Sequence, residues 1–309
     1  MTLQQLKYLL GIVEAGSMLK ASKNFGITQP TLSAMLKKLE AELDISIFDR
    51  SSQSMRLTAM GECVVSQAKI VLTAADNLKE LINEKRNRIG GRLRLGVIPT
   101  VASSFVPSFI DAFYASHPDV DLSIEEMKTN EIIEGLRSST IDMAGLATPL
   151  NAEHLLEIPL YYERFWAYLS PLQRELYSKS SLRASDLPLD DLWVLSEGHC
   201  MTKQIFNFCG ENDEGKRIYS AGSIATLVRT VDKIGGCTIS PALEIPTLTD
   251  KQQKNIRPIE NPIAVREISI VVKDDFVRER LLNDVINSIK SFIPSDMLDE
   301  HLKKFAVRL

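Results

Sequence analysis

Hydrophobic positions at the start of the chain recur with the spacing of α-helices, which predicts three short helices in succession. Gly16 ends the first helix, and the second helix covers residues 18–24. Gly26 lies in the turn that follows, and Thr28 caps a third helix with Pro30 in its first turn, where a missing N–H costs nothing. This third helix directs five apolar side chains inward: Leu32, Met35, Leu36, Leu39 and Leu43. Two helices joined by a glycine-containing turn predict a helix-turn-helix.

The region after the third helix predicts a wing and a long helix. Short apolar runs surround a polar tip between residues 45 and 57, which predicts a small β wing. Thr58 then begins a helix that continues to about residue 88. At about 1.5 Å per residue this helix extends about 45 Å, and its apolar stripe is too long to be buried within the chain. We therefore expect it to pack against the same helix of a second copy, in a dimer.

After Gly90-Gly91, which we interpret as a hinge, the pattern changes to alternating strands and helices. The predicted strands cover residues 92–98, 120–126 and 141–147 and lie near 158–169, 192–195, 217–220, 237–240 and 267–272. The predicted helices cover residues 103–115 and 130–137 and lie near 201–209, 223–234 and 276–292. This βαβ rhythm predicts an α/β fold with a parallel sheet and helices on both faces, long enough for two lobes.

These patterns divide the chain into three parts. We predict a winged helix-turn-helix domain over residues 1–58, a linker and dimerisation helix over residues 59–89 and a regulatory domain over residues 90–309. Charge also differs along the chain: 12 Lys/Arg and 9 Asp/Glu give residues 1–90 a net charge of +3, so that the remainder carries −7 of the total of −4. A mildly basic front and an acidic body indicate different partners for the two parts.

Composition excludes several classes of protein. The 309 residues are 44% hydrophobic and 25% charged, as in a globular chain and unlike a disordered one. The sequence has no run of about 18 apolar residues to cross a membrane and no basic start with a long apolar core, so we expect a cytoplasmic protein without membrane contact. Four scattered histidines and four cysteines without a CxxC pair predict neither a metal site nor a cofactor.

The first turns of a recognition helix contact base edges in the major groove of DNA. In the third helix these positions hold Gln29, Pro30, Thr31, Ser33 and Ala34. Gln29 can pair with adenine through two hydrogen bonds, and Ser33 can bond to more than one kind of base. The basic residues placed for phosphates are Lys37, Arg50 and Arg56. The pattern alone leaves open that these are solvated polar residues on an ordinary three-helix bundle.

LysR-type transcriptional regulators are the family that the front of the chain resembles. The resemblance is carried by A-S-K-N-F-G-I-T-Q-P-T-L-S-A-M-L-K-K-L-E-A-E-L-D-I-S-I-F-D-R at 21–50 and by L-T-A-M-G-E at 57–62. It implies a two-lobed regulatory domain like the periplasmic binding proteins, with lobe I over about 92–163 and 268–295 and lobe II over about 164–267. It also implies binding to double-stranded promoter or operator DNA, assembly as a dimer or tetramer, contact with RNA polymerase and no enzymatic activity. The wing has fewer basic residues than many relatives, which leaves its share of the DNA contacts open.

Cys200 and Cys209 enclose the most unusual segment of the regulatory domain. We expect Cys200 at the start of a helix with Lys203 one turn away, where helix amides and the cation lower a thiol pKa. Peroxide oxidises a partly exposed thiolate to a sulfenic acid, which a second thiol converts to a disulfide. If residues 200–209 are helical, the two Cα atoms are about 13 Å apart, whereas a disulfide spans about 4.4–6.8 Å, so bonding requires the helix to unwind. Two buried, inert cysteines are the alternative interpretation.

The same segment is similar to the hydrogen-peroxide-sensing regulators within the LysR-type family. The similarity rests on G-H-C-x8-C, on S-I-A-T-L at 223–227 and on S-P-A-L-E-I-P at 240–246. It implies that peroxide oxidises Cys200, that Cys209 resolves the sulfenic acid, and that the protein is an activator of oxidative-stress genes. It also implies a peroxide pocket formed by Thr100, Thr129, His199 and Arg266. Cys237 departs from the family pattern. It is either a residue of the core or a thiol that competes with this pair.

Two other functions remain open at the level of the sequence. A small anionic co-inducer could bind in the cleft between the lobes, where Thr100 follows a strand and Ser103 and Ser104 open a helix whose amides favour an anion. The cysteines would then be silent. A thiol peroxidase that uses Cys200 would explain the thiol pair and would leave residues 1–90 without a role.

Overall fold

The computed structural model describes residues 1–49, 55–86, 89–196, 200–209, 222–261 and 263–307. They form two compact units, a head of Met1–Arg88 with Arg137–Thr140, and a regulatory unit of Ile89–Leu136 with Ile141–Leu309. In these ranges no helix is long and apolar enough to cross a membrane. Four expectations lie outside the described residues: the wing tip, Arg50, His199 and the strand near 217–220.

Local hydrogen bonds set the ends of the helices in the head. Its described residues form α1 (Leu3–Ala15), α2 (Met18–Asn24), α3 (Gln29–Leu43) and α4 (Ala59–Lys85). α1 ends at Gly16, whose φ of 60° is the left-handed conformation that favours glycine. The Thr28 side chain accepts the Thr31 amide at the start of α3, and the Thr58 hydroxyl accepts the Gly61 amide at the start of α4. The end of α1 and the starts of α3 and α4 therefore fall where the sequence predicts them, whereas α4 ends at Lys85 and not at about residue 88.

The apolar faces of these helices meet in one core. Leu32, Leu36 and Leu39 of α3 are buried in it, as predicted. Met35 is 38% exposed, so its assignment to the inner face was wrong. It lies at the edge of a stripe that repeats at i, i+4 and i+7, on the side that faces solvent. The wing is represented by one antiparallel bridge between Phe48 and Leu57.

The described regulatory unit alternates strands and helices. Its strands are β1 (Gly91–Val97), β2 (Val120–Glu126), β3 (Met143–Thr148), β4 (Leu155–Leu169), β5 (Leu192–Trp193), β6 (Cys237–Pro241), β7 (Ile256–Pro258) and β8 (Val265–Lys273). Its α-helices are α5 (Pro99–Ser116), α6 (Thr129–Arg137), α7 (Arg174–Tyr177), α8 (Cys200–Cys209), α9 (Ile224–Ile234), α10 (Asp250–Gln253) and α11 (Glu279–Lys290). Short 3-10 helices cover Ala184–Asp186, Leu189–Asp191, Ala242–Thr247, Ser295–Leu298 and Glu300–Phe305.

The strands follow the order β2-β1-β3-β8-β4-β6-β5, with β7 beside β4. β1 is parallel to β2 and β3, and β5 is parallel to β6. β8 is antiparallel to β3 and β4, and β4 is antiparallel to β6 and β7. The prediction of a parallel sheet therefore holds for the first set of pairs and is wrong for those of β8 and β4, so the sheet is mixed. The chain returns from the second lobe in the opposite direction, and its last strand inserts between β3 and β4.

Two apolar cores lie along β4, one in each lobe. Leu160 and Tyr161 belong to the lobe I core, which packs α5 and α11 on the sheet around β1, β3 and β8. Phe165 and Ala167, a few residues later, belong to the lobe II core, which packs α8 and α9 on β5 and β6. The predicted α/β fold with two lobes is confirmed.

Two boundaries in the regulatory unit differ from the predictions. α5 begins at Pro99 rather than Ser103, because the amides of Val101 and Ala102 donate to the Ile98 carbonyl at 2.9 and 3.0 Å. The tail, which has no interpretable sequence pattern, pairs with the start of β8. The amide of Val307 donates to the Val265 carbonyl at 2.8 Å.

Candidate functional site

Cys200 is the first residue of α8, the helix that ends at Cys209. Its side chain is 7% exposed and packs in the lobe I core. Met201 and Ile205 of the same helix are buried in the lobe II core instead. The helix predicted between the two cysteines is present, so their Cα atoms are about 13 Å apart at the rise of an α-helix. α8 therefore joins the two cores, with one cysteine at each end; the Cys209 side chain lies outside the described part.

Arg266, at the start of β8, is 1% exposed and makes four polar contacts. Its Nη1 donates to Thr100 Oγ1 at 2.9 Å, and its Nη2 donates to the Thr100 carbonyl at 3.0 Å. Its Nε donates to Glu163 Oε2 at 2.8 Å, and its Nη2 lies 2.6 Å from the same oxygen. Two donors of the guanidinium thus share one carboxylate oxygen, and with the two contacts to Thr100 they fix the orientation of its plane. The structure thus brings Thr100 and Arg266 together, as the sequence predicted.

Burial raises the pKa of the Cys200 thiol above its usual value. The positive charge of Arg266, the Thr129 hydroxyl and the amides of Met201 and Cys200 act in the opposite direction, because each favours the thiolate. The expectation of a lowered pKa and a partly exposed thiol was wrong, since desolvation outweighs these groups. The cation that acts on the thiol is Arg266, whereas Lys203 is exposed on the surface.

Thr129, the first residue of α6, lies beside the Cys200 thiol. Its hydroxyl oxygen is buried, and within the described ranges it has no hydrogen-bond partner of standard geometry. The Tyr161 hydroxyl is buried in the same way, near Arg266 and Glu163, and burial raises its pKa well above the usual value. Buried polar groups are ordinarily hydrogen-bonded, so these two hydroxyls are available to a small polar molecule.

The sequence analysis missed two buried carboxyl groups, Glu163 and Glu244. Glu163 is 1% exposed and accepts the Leu243 amide at 2.8 Å in addition to its contacts with Arg266. Glu244 accepts a hydrogen bond from the Ser103 hydroxyl, and burial raises its pKa. A signal for Glu163 was present: it stands in the apolar strand P-L-Y-Y-E-R-F, and a buried charge requires a partner.

The anion site predicted at Ser103 and Ser104 is not formed as expected. Both residues lie in the second turn of α5, so their amides are not at a free helix end. The Ser103 hydroxyl is bonded to Glu244, and the Ser104 hydroxyl donates to the Val101 carbonyl at 3.3 Å. Two carboxyl groups near Arg266 also make this part of the cleft unfavourable for an anion.

The described residues that are predicted to contact DNA are exposed or partly exposed in the head. Gln29, Pro30 and Thr31 form the exposed first turn of α3, with Ser33 partly exposed beside them. Lys37 is exposed further along α3, and Arg56 is exposed after the wing. The Thr31 hydroxyl lies 2.8 Å from the Thr28 hydroxyl and so belongs to the cap as well.

The other cysteines lie in different surroundings. Cys237 is fully buried in β6, and Cys63 is exposed on α4. Over the described ranges no group of three or more His, Cys, Asp or Glu residues could hold a metal ion.

Comparison with known proteins covers nearly the whole chain. The sequence pattern of bacterial regulatory helix-turn-helix proteins of the lysR family matches residues 3–62, and that of the LysR substrate binding domain matches residues 86–293. A hydrogen peroxide-inducible genes activator of Pectobacterium carotovorum is 29% identical over 281 residues, which are 88% of this chain and 90% of that protein. The HTH-type transcriptional regulator EstR of Acinetobacter baylyi is 31% identical over 264 residues, 84% of this chain and 87% of that protein.

A solved structure shows the same architecture. A variant of full-length OxyR from Pseudomonas aeruginosa superimposes with a TM-score of 0.80 at 28% sequence identity, covering 96% of this chain and 97% of that one. The resemblance to LysR-type regulators that the sequence suggested is thereby confirmed. The chain belongs to the LysR family, and it is a DNA-binding transcriptional regulator rather than an enzyme.

Proposed function

We propose that this regulator senses hydrogen peroxide through Cys200 and Cys209 and activates genes of the oxidative-stress response. The observation that carries the proposal is the position of Cys200: a buried thiol at the start of α8, beside a buried arginine that Thr100 and Glu163 hold in place. The similarity to peroxide-inducible activators supports it. The cytoplasmic location expected from the sequence is part of the same proposal.

Oxidation proceeds in two balanced steps. The Cys200 thiolate attacks one oxygen of hydrogen peroxide, so that an S–O bond forms and the O–O bond breaks. The departing hydroxide takes up the proton that the thiol released and leaves as water. The Cys209 thiol then attacks the sulfenic sulfur, which forms the S–S bond and releases the hydroxyl group, with the second thiol proton, as another water. Two thiols lose two electrons, and peroxide is reduced to two water molecules.

The pocket residues have distinct roles in the first step. The charge of Arg266 stabilises the thiolate and the departing hydroxide. The Thr129 hydroxyl is free of other standard hydrogen bonds in the described structure and can orient the peroxide. The Thr100 hydroxyl accepts a hydrogen bond from Arg266 Nη1 and so belongs to the same pocket. We assign His199 to the pocket from the sequence alone.

The second step converts the chemistry into a change of packing. Since α8 separates the two cysteine backbones by about 13 Å, the helix must unwind before a disulfide can form. Unwinding removes Met201 and Ile205 from the lobe II core and Cys200 from the lobe I core. The oxidised regulatory unit therefore has a different packing from the reduced one, as a two-state switch requires.

DNA binding and pairing with a second copy are assigned to the head, which includes α4. Gln29, Pro30, Thr31 and Ser33 contact base edges, and Lys37, Arg50 and Arg56 contact phosphates of the promoter. α4 carries exposed apolar side chains that suit pairing with a second copy: Met60, Val71, Leu78, Leu81 and Ile82. Assembly as a dimer or tetramer and contact with RNA polymerase complete the proposal.

A peptide map of the oxidised protein tests this function. The reduced protein is treated with one equivalent of hydrogen peroxide, digested without reductant and analysed by mass spectrometry. We expect a Cys200–Cys209 crosslink that is absent from Cys200→Ser and retained in the matched variant Cys237→Ser. Promoter binding, measured at one fixed salt concentration, should lose its dependence on peroxide in Cys200→Ser without losing DNA affinity.

Other results would contradict the proposal. If Cys200 reacts no faster than Cys63 and Cys237, peroxide is not the signal. A response to a small anion that survives Cys200→Ser would favour the cleft ligand. Steady turnover of peroxide with added reductant would favour a peroxidase, whereas the proposed sensor consumes one equivalent.

A further inference from the structure

We propose that Glu163 is the positioning residue of the peroxide pocket: it holds the Arg266 guanidinium in the orientation in which that group acts on Cys200. The inference extends the proposed function, because it assigns a role to a side chain that does not itself act on the thiol.

A guanidinium has five N–H donors in a rigid plane. Glu163 takes the Nε–H and one Nη2–H of Arg266, on one edge of the plane. Thr100 takes the other Nη2–H through its carbonyl and one Nη1–H through its hydroxyl. The remaining Nη1–H has no acceptor among the described residues, and it lies on the edge opposite Glu163. This donor is the one free to bind the Cys200 thiolate or the departing oxygen.

The Glu163 carboxylate is itself fixed by a hydrogen bond to its other oxygen. Its second oxygen, Oε1, accepts the amide of Leu243, which lies in the 3-10 helix Ala242–Thr247. Both Glu163 and Arg266 are 1% exposed, so water does not compete for their contacts. Strand β4, strand β8 and the 3-10 helix therefore all converge on the one carboxylate.

The orientation of Arg266 also affects the pKa of Cys200. Arg266 is the cation that lowers the pKa of the Cys200 thiol, whereas burial raises it. With Glu163 in place, Arg266 is held in the orientation in which its charge acts on the thiol. Without the carboxylate, the guanidinium keeps only its contacts to Thr100 and is free to turn away. The proposal requires that the stabilisation the thiolate then loses exceed the stabilisation it gains when the negative charge of Glu163 is removed.

The test measures the acidity of Cys200 directly. Alkylation of Cys200 by iodoacetamide is followed by peptide mass spectrometry as a function of pH, and the peroxide rate constant is measured beside it. We expect Glu163→Gln to raise the alkylation midpoint by about one pH unit and to slow the peroxide reaction about tenfold at neutral pH, since the thiolate fraction changes tenfold per unit. The rate should recover in alkaline buffer.

A matched control lies on the same strand. Glu157 accepts the Leu150 amide at 2.9 Å, much as Glu163 accepts the Leu243 amide, and the structure places it outside the pocket. Glu157→Gln should leave the midpoint and the peroxide rate unchanged. An equal shift in both variants would mean that loss of a carboxylate anywhere on β4 disturbs the thiol, and would overturn the proposal.

A double-mutant cycle tests whether Glu163 acts through Arg266. In Arg266→Gln the peroxide rate should fall further than in Glu163→Gln, and adding Glu163→Gln to that variant should change the rate by less than about twofold. A further tenfold loss in the Arg266→Gln background would show an independent action and would overturn the inference. A midpoint that stays unchanged or falls in folded Glu163→Gln would do the same.

Folding and function are kept apart by two further measurements. If Glu163→Gln does not fold, Glu163→Asp keeps the charge on a shorter side chain; a raised midpoint supports the proposal and an unchanged one overturns it. The alkylation midpoint does not depend on peroxide sensing. If wild-type Cys200 is unreactive toward peroxide, the proposed function fails, while the shift in midpoint still decides the role of Glu163.

Discussion

The DNA-reading face of α3 and the pocket around Cys200 are built from interactions of different range. The cap of α3 joins Thr28 to Thr31, three residues apart, and the side chains proposed to contact DNA are exposed on the same helix. In the pocket, Arg266 contacts Glu163 and Thr100, which are 103 and 166 residues away in sequence, and all three are buried.

This difference determines how each region responds to substitution. Truncating a solvated side chain of α3 should remove one of the proposed contacts to DNA and leave the head folded. Truncating one member of the pocket leaves a buried charge or hydroxyl without its partner, which is expensive away from water. The pocket should therefore couple stability to function, whereas the DNA-reading face should keep the two separate.

The largest effect is expected from Arg266→Met. This change leaves the Glu163 carboxylate buried without its cation, which typically destabilises a protein by about 3–5 kcal/mol. Urea unfolding of the reduced protein measures the loss. The control is the double variant Arg266→Met/Glu163→Leu, which removes both charges and should recover most of the stability. A single variant whose free energy of unfolding lies within about 1 kcal/mol of wild type would show that the two charges do not form a buried pair.

Ile205→Ala should have a smaller effect on stability and a distinct effect on the switch. Ile205 is 3% exposed in the lobe II core, and loss of such a side chain costs about 2–5 kcal/mol. Because Ile205 stabilises α8 in its helical form, its loss should also make the Cys200–Cys209 disulfide form faster after the sulfenic acid has appeared. Stopped-flow oxidation with quenched peptide mapping separates the two steps.

Leu227→Ala is the matched control for this prediction. Leu227 is buried in the same core but lies on α9. It should lower stability by a similar amount without speeding disulfide formation. Equal acceleration in both variants would mean that general loosening of lobe II, and not unwinding of α8, limits the second step.

The reaction of Cys200 with peroxide should depend on pH. Because burial holds the pKa of Cys200 above its usual value, the thiolate fraction at neutral pH rises about tenfold per pH unit, and the peroxide rate should follow it. The folded thiol also keeps its proton where the unfolded thiol has lost it. Its contribution to stability is therefore complete below the ordinary pKa and is lost as the pH rises through the raised value. A peroxide rate that is flat between pH 6 and 8 would contradict the assignment.

The range of the interactions also explains what the sequence could predict. Caps and apolar periodicity are local, so α1, α3 and the start of α4 could be placed from Gly16, Thr28 and Thr58. The antiparallel insertion of β8 could not be predicted, because strand direction depends on the path of the whole chain. The raised pKa of Cys200 could not be predicted either, since its burial depends on two cores that meet only after folding.

Family resemblance supplied Thr100 and Arg266, and the structure joins them, but it did not supply Glu163. That residue becomes visible only when the donors of Arg266 are counted in three dimensions. Met35 illustrates the opposite limit: an apolar residue at helical spacing is not always buried, because a helix that reads DNA presents its other face to solvent.

The smallest effect is expected at the start of α3. The Thr28 hydroxyl accepts the Thr31 amide at 3.3 Å, and replacing a threonine cap with alanine costs about 1 kcal/mol. Thr28→Ala should therefore lower the stability of the head slightly and weaken promoter binding, while the peroxide rate of Cys200 stays at the wild-type value. Thr28→Ser keeps the hydroxyl and should behave as wild type in fluorescence-anisotropy titrations at fixed salt. If Thr28→Ala slows oxidation of Cys200, the two regions are not energetically separate, because a change of local hydrogen bonding in the head would then have altered a pocket built from distant residues.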